Sequence, residues 1–470
     1  MAGFAQRRPS GPFRELAREL DGSVVLPPSS AYAQDKLLVN TRFDASHPRA
    51  IAYCETAEDV QKTIRWARKH GIHIVPRCGG HSYGGYSTTS GVVVDVTRMK
   101  RVRVSGAAAT IGAGARLIDV YAQLLAHGVT IPAGSCPSVG ISGLTLGGGA
   151  SYAGRKLGLT CDNVRSVSIV TADGRLRQCS AGEHSDLYWA CRGGGGGNFG
   201  IVTGFRFRTH TVGNVAYYRV VWPWADAAEA IRAWQAFAPH APDELFATLF
   251  MSTTATKGPG TTPVISSGGQ FFGTQSDLEG LIFPLVSAGR PTDARVGTLS
   301  YMDAVLRWAG CHPVSQCRTV RRLAYKGKSD YVNAPLSNAA IATLLTGLEA
   351  NQRSTALGKG ELLFDSYGGA INRVPAAATA FVHRNALFSI QYFSSWSGSG
   401  AAANLAWIRS LYAAMRPFVS GFAYQNYIDP DLRSWKHAYY GSNLRRLAAV
   451  KRKYDPRNAF RFAQSIPPRI

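Results

Sequence analysis

The segment Pro76-Arg77-Cys78-Gly79-Gly80-His81-Ser82-Tyr83-Gly84-Gly85 sets one imidazole among four glycines, directly after an apolar, strand-forming stretch. Glycine lets a backbone come close to a ligand and aim N–H groups at it, so the segment suits an anionic guest such as a pyrophosphate. Eighty residues after His81, Gly158-Leu159-Thr160-Cys161-Asp162-Asn163-Val164 puts a lone cysteine at a polar turn ahead of another strand. Together they read as two anchor points for one flat, anionic cofactor. A second glycine region, Pro137 to Gly149, offers an opposite wall that includes Val139, Gly143 and Gly148. A third, Gly193 to Gly197, runs through Asn198-Phe199-Gly200 into Ile201-Val202. The second region is neither a GxGxxG dinucleotide turn nor a phosphate loop ending in Gly-Lys-Ser/Thr.

Two further segments carry acid–base chemistry. Tyr424-Gln425-Asn426-Tyr427-Ile428-Asp429 presents two phenols. Read as a strand, it turns 424 and 426 one way and 427 the other, so either tyrosine is a candidate base. A phenol ordinarily loses its proton near pH ~10, and acting near neutrality takes roughly 4 kcal/mol of preferential phenolate stabilisation. Asp365-Ser366-Tyr367 places a carboxylate and a phenol two residues apart, on one face of a strand.

These motifs resemble the flavin attachment segments of the berberine-bridge-enzyme-like FAD-linked oxidases, in the vanillyl-alcohol-oxidase group of PCMH-type FAD-binding proteins. The resemblance runs from about Tyr32 to the C-terminus. It implies FAD held bicovalently, His81 at the 8α-methyl and Cys161 at C6, with Arg77, Gly79, Gly80, Ser82, Tyr83, Val139, Gly143, Gly148, Ile201, Val202 and Asn426 as cofactor contacts. It implies Tyr424 as catalytic base with Tyr427 assisting, and Asp365 or Tyr367 reaching the ring from the substrate domain. A small valine at position 139 is associated in that family with oxygen access. The implied activity is an oxidase that moves a hydride from an alcohol, hemiacetal or sugar carbon to flavin N5 and then reduces oxygen to hydrogen peroxide. An oxidative cyclase or a dehydrogenase of natural-product biosynthesis is the alternative.

The elements that would position these groups alternate between helix and strand. Thr56 to His70 predicts a helix, with Thr56 as cap, Asp59 in the capping-box position and Val60, Ile64 and Ala67 on one face. Ile72 to Val75 and Gly91 to Val96 read as strands, the second so rich in valine that both its faces are buried. Ala115 to His127 reads as a helix. Beyond Val212, strands over 216–221, 245–252 and 262–272 mix with helices over 226–238 and 338–349, and the tail carries a strand and a basic helix. The fold expected is α+β and two-lobed: a PCMH-type FAD-binding domain plus a substrate domain made of an antiparallel sheet backed by helices. Its boundaries are expected at 1–210 for the N-terminal part of the FAD domain, 211–420 for the substrate domain and 421–470 for the returning tail.

Composition narrows the classes. The 470 residues are 45% hydrophobic and 17% charged, a well-buried globular balance. The formal charge of +23 is spread along the chain, with short clusters at 98–103 and 445–461 that lack the aromatic spacing of a nucleic-acid platform. The partners expected are therefore a small-molecule substrate and oxygen, with no nucleic acid. No apolar run long enough for a membrane span occurs, and no secretory h-region is read, so a bacterial cytoplasmic location is expected. The eight cysteines show no framework spacing and read mostly as thiols. Cys311, His312 and Cys317 are too few for zinc, so no metal is expected.

Overall fold

The computed structural model describes residues 11–470. The helix Ala57–Lys69 begins as its sequence dictates: Thr56 Oγ1 accepts from the Asp59 amide at 3.1 Å, and Asp59 answers with its carboxylate on the Thr56 amide. The same carboxylate also accepts from Asp21, Gly22 and Glu55, tying the preceding loop to the helix start. Val60, Ile64, Trp66 and Ala67 bury the inner face. The next strand forms at Ile74–Arg77, two residues later than its hydrophobicity suggests, because the Ile72 amide still closes the helix end on Ala67 O. Val92–Asp95 is buried along its whole length, lying parallel between Ala50–Tyr53 and Ile74–Arg77, as its run of three valines requires.

This small four-stranded sheet packs with an antiparallel five-stranded sheet, in the order 102–105, 108–112, 201–208, 164–170, 176–180. Their common core reaches across to the tail, taking in Ala423, Leu432, Tyr439, Leu447, Phe460 and Ile466. A second core lies under a seven-stranded antiparallel sheet in the order 293–299, 215–222, 264–271, 245–252, 359–366, 388–396, 324–332. Helices Ala227–Phe237, Asn338–Arg353 and Ala401–Met415 cover one face of that sheet. The α+β, two-lobed class read from the sequence therefore holds. Strand alternation then fixes the function of the other face. Leu362, Phe364, Ile390 and Tyr392 point into the core, so Glu361, Leu363, Asp365, Gln391 and Phe393 point away from it.

Two local expectations fail. Tyr424–Asp429 is not a strand: Gln425–Tyr427 is a single 3-10 turn, and the tail contains no strand. Its amides are satisfied by side chains instead of a neighbouring strand, Tyr424 N by Ser329 Oγ at 3.0 Å and Asp429 N by Tyr439 Oη at 2.8 Å. Tyr367 does not line the cavity with Asp365: it lies just past the strand end at Ser366, and its ring packs into a buried seam with its hydroxyl on that of Tyr331. Six of the eight cysteines are thiols, in keeping with the sequence reading, and Cys311 and Cys317 are joined in a disulfide. Among the described residues no helix is long and apolar enough to cross a membrane, and no His/Cys/Asp/Glu group could hold a metal ion.

One ionic knot joins the seven-stranded sheet to the tail. Lys326 and Lys328, on the strand Ala324–Val332, both bond Asp429, the latter at 2.5 Å, and both face Asp431 at 3.1 and 3.6 Å. The two lysines and Asp429 are almost fully buried. Asp429→Ala leaves two desolvated ammonium groups short of a counter-charge, at an expected cost of about 3–5 kcal/mol. Lys328→Met should cost clearly less, since Lys326 still faces Asp429. Urea unfolding midpoints of the two variants check the order.

Candidate functional site

A cavity of about 500 Å³ opens between the lobes, within the usual range for a small-molecule site. Its walls combine the glycine loops of the first lobe, the tyrosine turn of the tail and the bare face of the seven-stranded sheet. The two glycine loops touch: a Cβ on Gly79 would stand 2.5 Å from Gly140 N, so only a glycine permits the approach. The amides of Gly80, His81, Ser82, Gly196 and Gly197 border the cavity and find no acceptor among the described residues. Such a row of free amides on side-chain-free backbone fits a pyrophosphate, and the apolar walls beyond it fit a flat ring system.

Of the residues singled out from the sequence, Arg77, Gly79, Gly80, His81, Ser82, Tyr83, Val139, Gly143, Ile201, Val202, Asp365, Tyr424, Asn426 and Tyr427 line this one cavity. His81 Nε2 lies 2.9 Å from Ser138 Oγ. Burial, with the Arg116 charge second, pushes its pKa down to about 4, so the ring is neutral at pH 7 and keeps a lone pair. Arg77 is less free than expected, since its Nε is bound to Asp95 at 2.5 Å.

Three residues lie elsewhere. Cys161 is fully buried in a seam with Leu159, Tyr331, Tyr367, Ile371, Phe381, Ala386 and Tyr424, and does not reach the cavity. Its amide is held by Gly148 O and its thiol faces Asp162, which is paired to Arg384. Burial and the Asp162 charge push that thiol far up; burial raises the Cys136 thiol too, so what separates the two sulfurs is access to the cavity. Tyr367 is sealed in the same seam, its hydroxyl 3.1 Å from that of Tyr331. Gly148 (φ +123°) backs the wall from behind, where a Cβ would meet the Phe381 ring at 2.8 Å.

The cavity holds a different thiol. Cys136 lines it and is exposed to it, two residues before the Ser138 that bonds His81. Sequence reasoning passed over it by starting the second glycine wall at Pro137, one residue beyond the sulfur. Tyr152, Phe246, Phe250, Glu361, Leu363, Gln391 and Phe393 also line the cavity. Only strand parity, once the strand boundaries are known, singles out those on the sheet.

The two tyrosines differ in what they can do. Tyr424 Oη accepts from Gly149 N at 2.8 Å, Ala150 N at 3.3 Å and Asn426 Nδ2 at 2.8 Å. Asn426 reaches this place because position 147 is glycine; a Cβ there would collide with its amide. Burial still dominates and pushes Tyr424 up to about 12. Tyr427 stacks on Tyr83 at 5.1 Å and meets Tyr424 edge-on at 5.1 Å. No hydrogen bond within the described residues engages its hydroxyl, and burial, then Tyr83, raises its pKa well above the ordinary value. Gln391 Nε2 donates to Tyr83 Oη at 2.7 Å, fixing the ring on which Tyr427 rests.

Two family models match the chain: an FAD binding domain over residues 48–180, and a "berberine and berberine like" segment over 423–467. An uncharacterized FAD-linked oxidoreductase of Bacillus subtilis, YgaK, is 34% identical over 96% of this chain and 98% of its own. The solved structure of Physcomitrella patens BBE-like 1 superposes with a TM-score of 0.90 at 33% identity, over 97% of this chain and 99% of that one. A chitooligosaccharide oxidase gives 0.87 at 26%, over 98% and 100%.

Asp365 provides a test of the site's polarity. Burial pushes its carboxyl up to about 7, whereas an unfolded aspartate ionises near pH ~3.9. The folded protein therefore holds the extra proton, and stability falls as pH rises from about 4 to about 7, then levels. Asparagine cannot ionise. Asp365→Asn holoenzyme should unfold at a higher urea concentration than wild type at pH 8, with most of that advantage gone at pH 4.5.

Proposed function

The chain belongs to the berberine bridge enzyme-like FAD-linked oxidoreductases, and on that premise we propose that it is a bicovalent flavoprotein oxidase acting on a CH–OH carbon. One observation carries the reading: a neutral imidazole, an exposed thiol and an unengaged phenol border one cavity whose floor is a row of free amides. His81 and Cys136 are the two attachment residues. The sealed position of Cys161 supports Cys136 in its stead. The amides of Gly80, His81, Ser82, Gly196 and Gly197 hold the pyrophosphate, and FAD so bound supplies the acceptor for a hydride.

The remaining chemistry belongs to the side chains. Tyr427, rather than Tyr424, is the base: its hydroxyl is open to the cavity and its ring is fixed on Tyr83. Tyr424, with its oxygen already taken by three N–H groups, holds the Gly149–Ala150 wall and Asn426 in place. Asp365 and Gln391 face the substrate from the sheet. Val139 leaves a small side chain beside the wall that carries Ser138 and Cys136, which supports oxygen as final acceptor and hydrogen peroxide as product. That one solved neighbour is a chitooligosaccharide oxidase lends the oxidase reading weight.

Attachment is tested by acid precipitation followed by peptide mass analysis. His81→Ala and Cys136→Ala should each keep FAD on a single peptide, the double variant should release it all, and Cys161→Ala should keep both links. Loss of one link in Cys161→Ala alone would refute the assignment.

The base is tested by pH. A phenol with a raised pKa works only as the ionised fraction grows, so the rate of anaerobic flavin reduction should climb with pH through the alkaline range. Tyr427→Phe should flatten that limb and cut the rate by about 10²-fold or more. A steep limb surviving in Tyr427→Phe but lost in Tyr424→Phe would hand the role to Tyr424.

A further inference from the structure

The sheet end of the cavity carries a carboxylate with nothing to bind. Asp365 lines the cavity, and no hydrogen bond or ion pair within the described residues engages it. Its two cross-strand neighbours are Thr248 and Ser389. The Thr248 hydroxyl is spent on Gly268 O at 3.1 Å. Gln391 gives its amide to Tyr83. Glu361, on the same face, already has a cation in Lys359 at 2.6 Å. The arginines that line the cavity belong to the first lobe and the tail: Arg77 is bound to Asp95, and Arg461 stands beside Phe462, which packs on Tyr86. In a chain of formal charge +23, this wall presents an uncompensated negative charge once the pH exceeds about 7, where the buried carboxyl ionises.

Aromatic rings frame that charge. Phe246 and Phe250 flank Thr248 on the same face of the strand Leu245–Ser252, diagonal to Asp365. Tyr152 closes in from the first lobe, 5.2 Å from Phe246, and is backed by Trp308 stacked at 4.4 Å and 7°. Trp308 is itself fixed by its Nε1 bond to Gln270 Oε1 at 3.1 Å. A desolvated carboxylate ringed by aromatic faces attracts an organic cation through both charge and ring quadrupoles.

We infer that this end of the cavity is a subsite for a protonated or quaternary amine carried by the substrate, held on Asp365 between Tyr152, Phe246 and Phe250. The inference rests on the oxidase reading above and narrows its substrates to amino alcohols or larger hydroxylated amines. An anionic substrate is repelled from this wall. A neutral polyol would hydrogen-bond the carboxylate without compensating its charge.

Choline and its uncharged isostere 3,3-dimethylbutan-1-ol differ by one nitrogen for carbon, and serve as the probe. Their affinities for the flavin-loaded enzyme are measured calorimetrically at pH 8. Wild type should bind choline at least 10-fold more tightly than the isostere. Asp365→Asn should abolish that preference, Asp365→Glu should keep part of it, Phe246→Leu should reduce it about 3-fold, and Glu361→Gln should leave it within 2-fold. Equal binding of the two probes by wild type overturns the inference, as does a preference that survives in Asp365→Asn or disappears in Glu361→Gln. The covalent flavin content of the same preparations is read separately. A yellow, flavin-linked protein without choline preference would sink the amine subsite and leave the oxidase reading standing, whereas a colourless one would sink the latter.

Discussion

Everything at the site depends on holding a short turn of the tail against a sheet that comes from elsewhere in the chain. The buried contact of Lys326 and Lys328 with Asp429 and Asp431 does this. Burying charges is costly, and the cost is offset only when each finds partners of opposite sign. Asp429 cannot leave its place without stranding two lysines, so the tail is fixed at a point two residues beyond Tyr427. Arg409 extends the knot by binding Asp431 at 2.9 Å and is the first cause of that carboxyl's strongly lowered pKa. The turn 425–427 needs such an anchor, because it makes no ladder of its own.

From that fixed point the aromatic contacts follow. Tyr427 lies on Tyr83, Tyr83 meets Tyr325 edge-on at 5.2 Å, and Tyr325 stacks on Phe393. Gly327 lets the Tyr83 ring approach the sheet, since a Cβ there would stand 2.4 Å from it. Three segments distant in sequence thus share one stack of rings: the His81 loop, the tail turn and the sheet. The imidazole at 81 and the phenol at 427 keep their relation because Tyr83 is both two residues from the first and in contact with the second. Two rigidly held side chains facing one cavity are what a reaction limited by positioning requires.

Much of this was legible in the sequence where local rules decide. The capping box at Thr56 and Asp59, the doubly buried valine strand and the glycine loop around His81 are fixed by neighbours within a few residues. The failures share a cause. Tyr424–Asp429 alternates like a strand, yet its end amides go to Ser329, 95 residues back, and to Tyr439, 10 residues on. Tyr367 has the parity of Asp365, but it lies just past the end of the strand and its ring is packed in the buried seam. Cys161 and Cys136 look alike as isolated sulfurs in polar turns. Only the folded chain shows one sealed behind Phe381 and Arg384 and the other open beside Ser138.

The same contrast explains why the second thiol suits its setting. Cys161 sits beside the Asp162 carboxylate in an apolar seam, where a thiolate would add a second buried negative charge. Arg384 neutralises Asp162 with two contacts, and that pair closes the seam rather than activating the sulfur. Its neighbours Tyr331 and Tyr367 bond each other, and His383 stacks on Tyr331 at 4.3 Å, so the polar atoms there look inward. The seam is therefore a structural hinge-point between sheet and glycine wall, holding Gly148 and Gly149 through the amides of Cys161 and Thr160. Cys161 shapes the cavity from behind by what its backbone binds. Cys136 meets the cavity directly, on the loop that also presents Ser138 to His81, so the thiol and the imidazole face one cavity from a shared support.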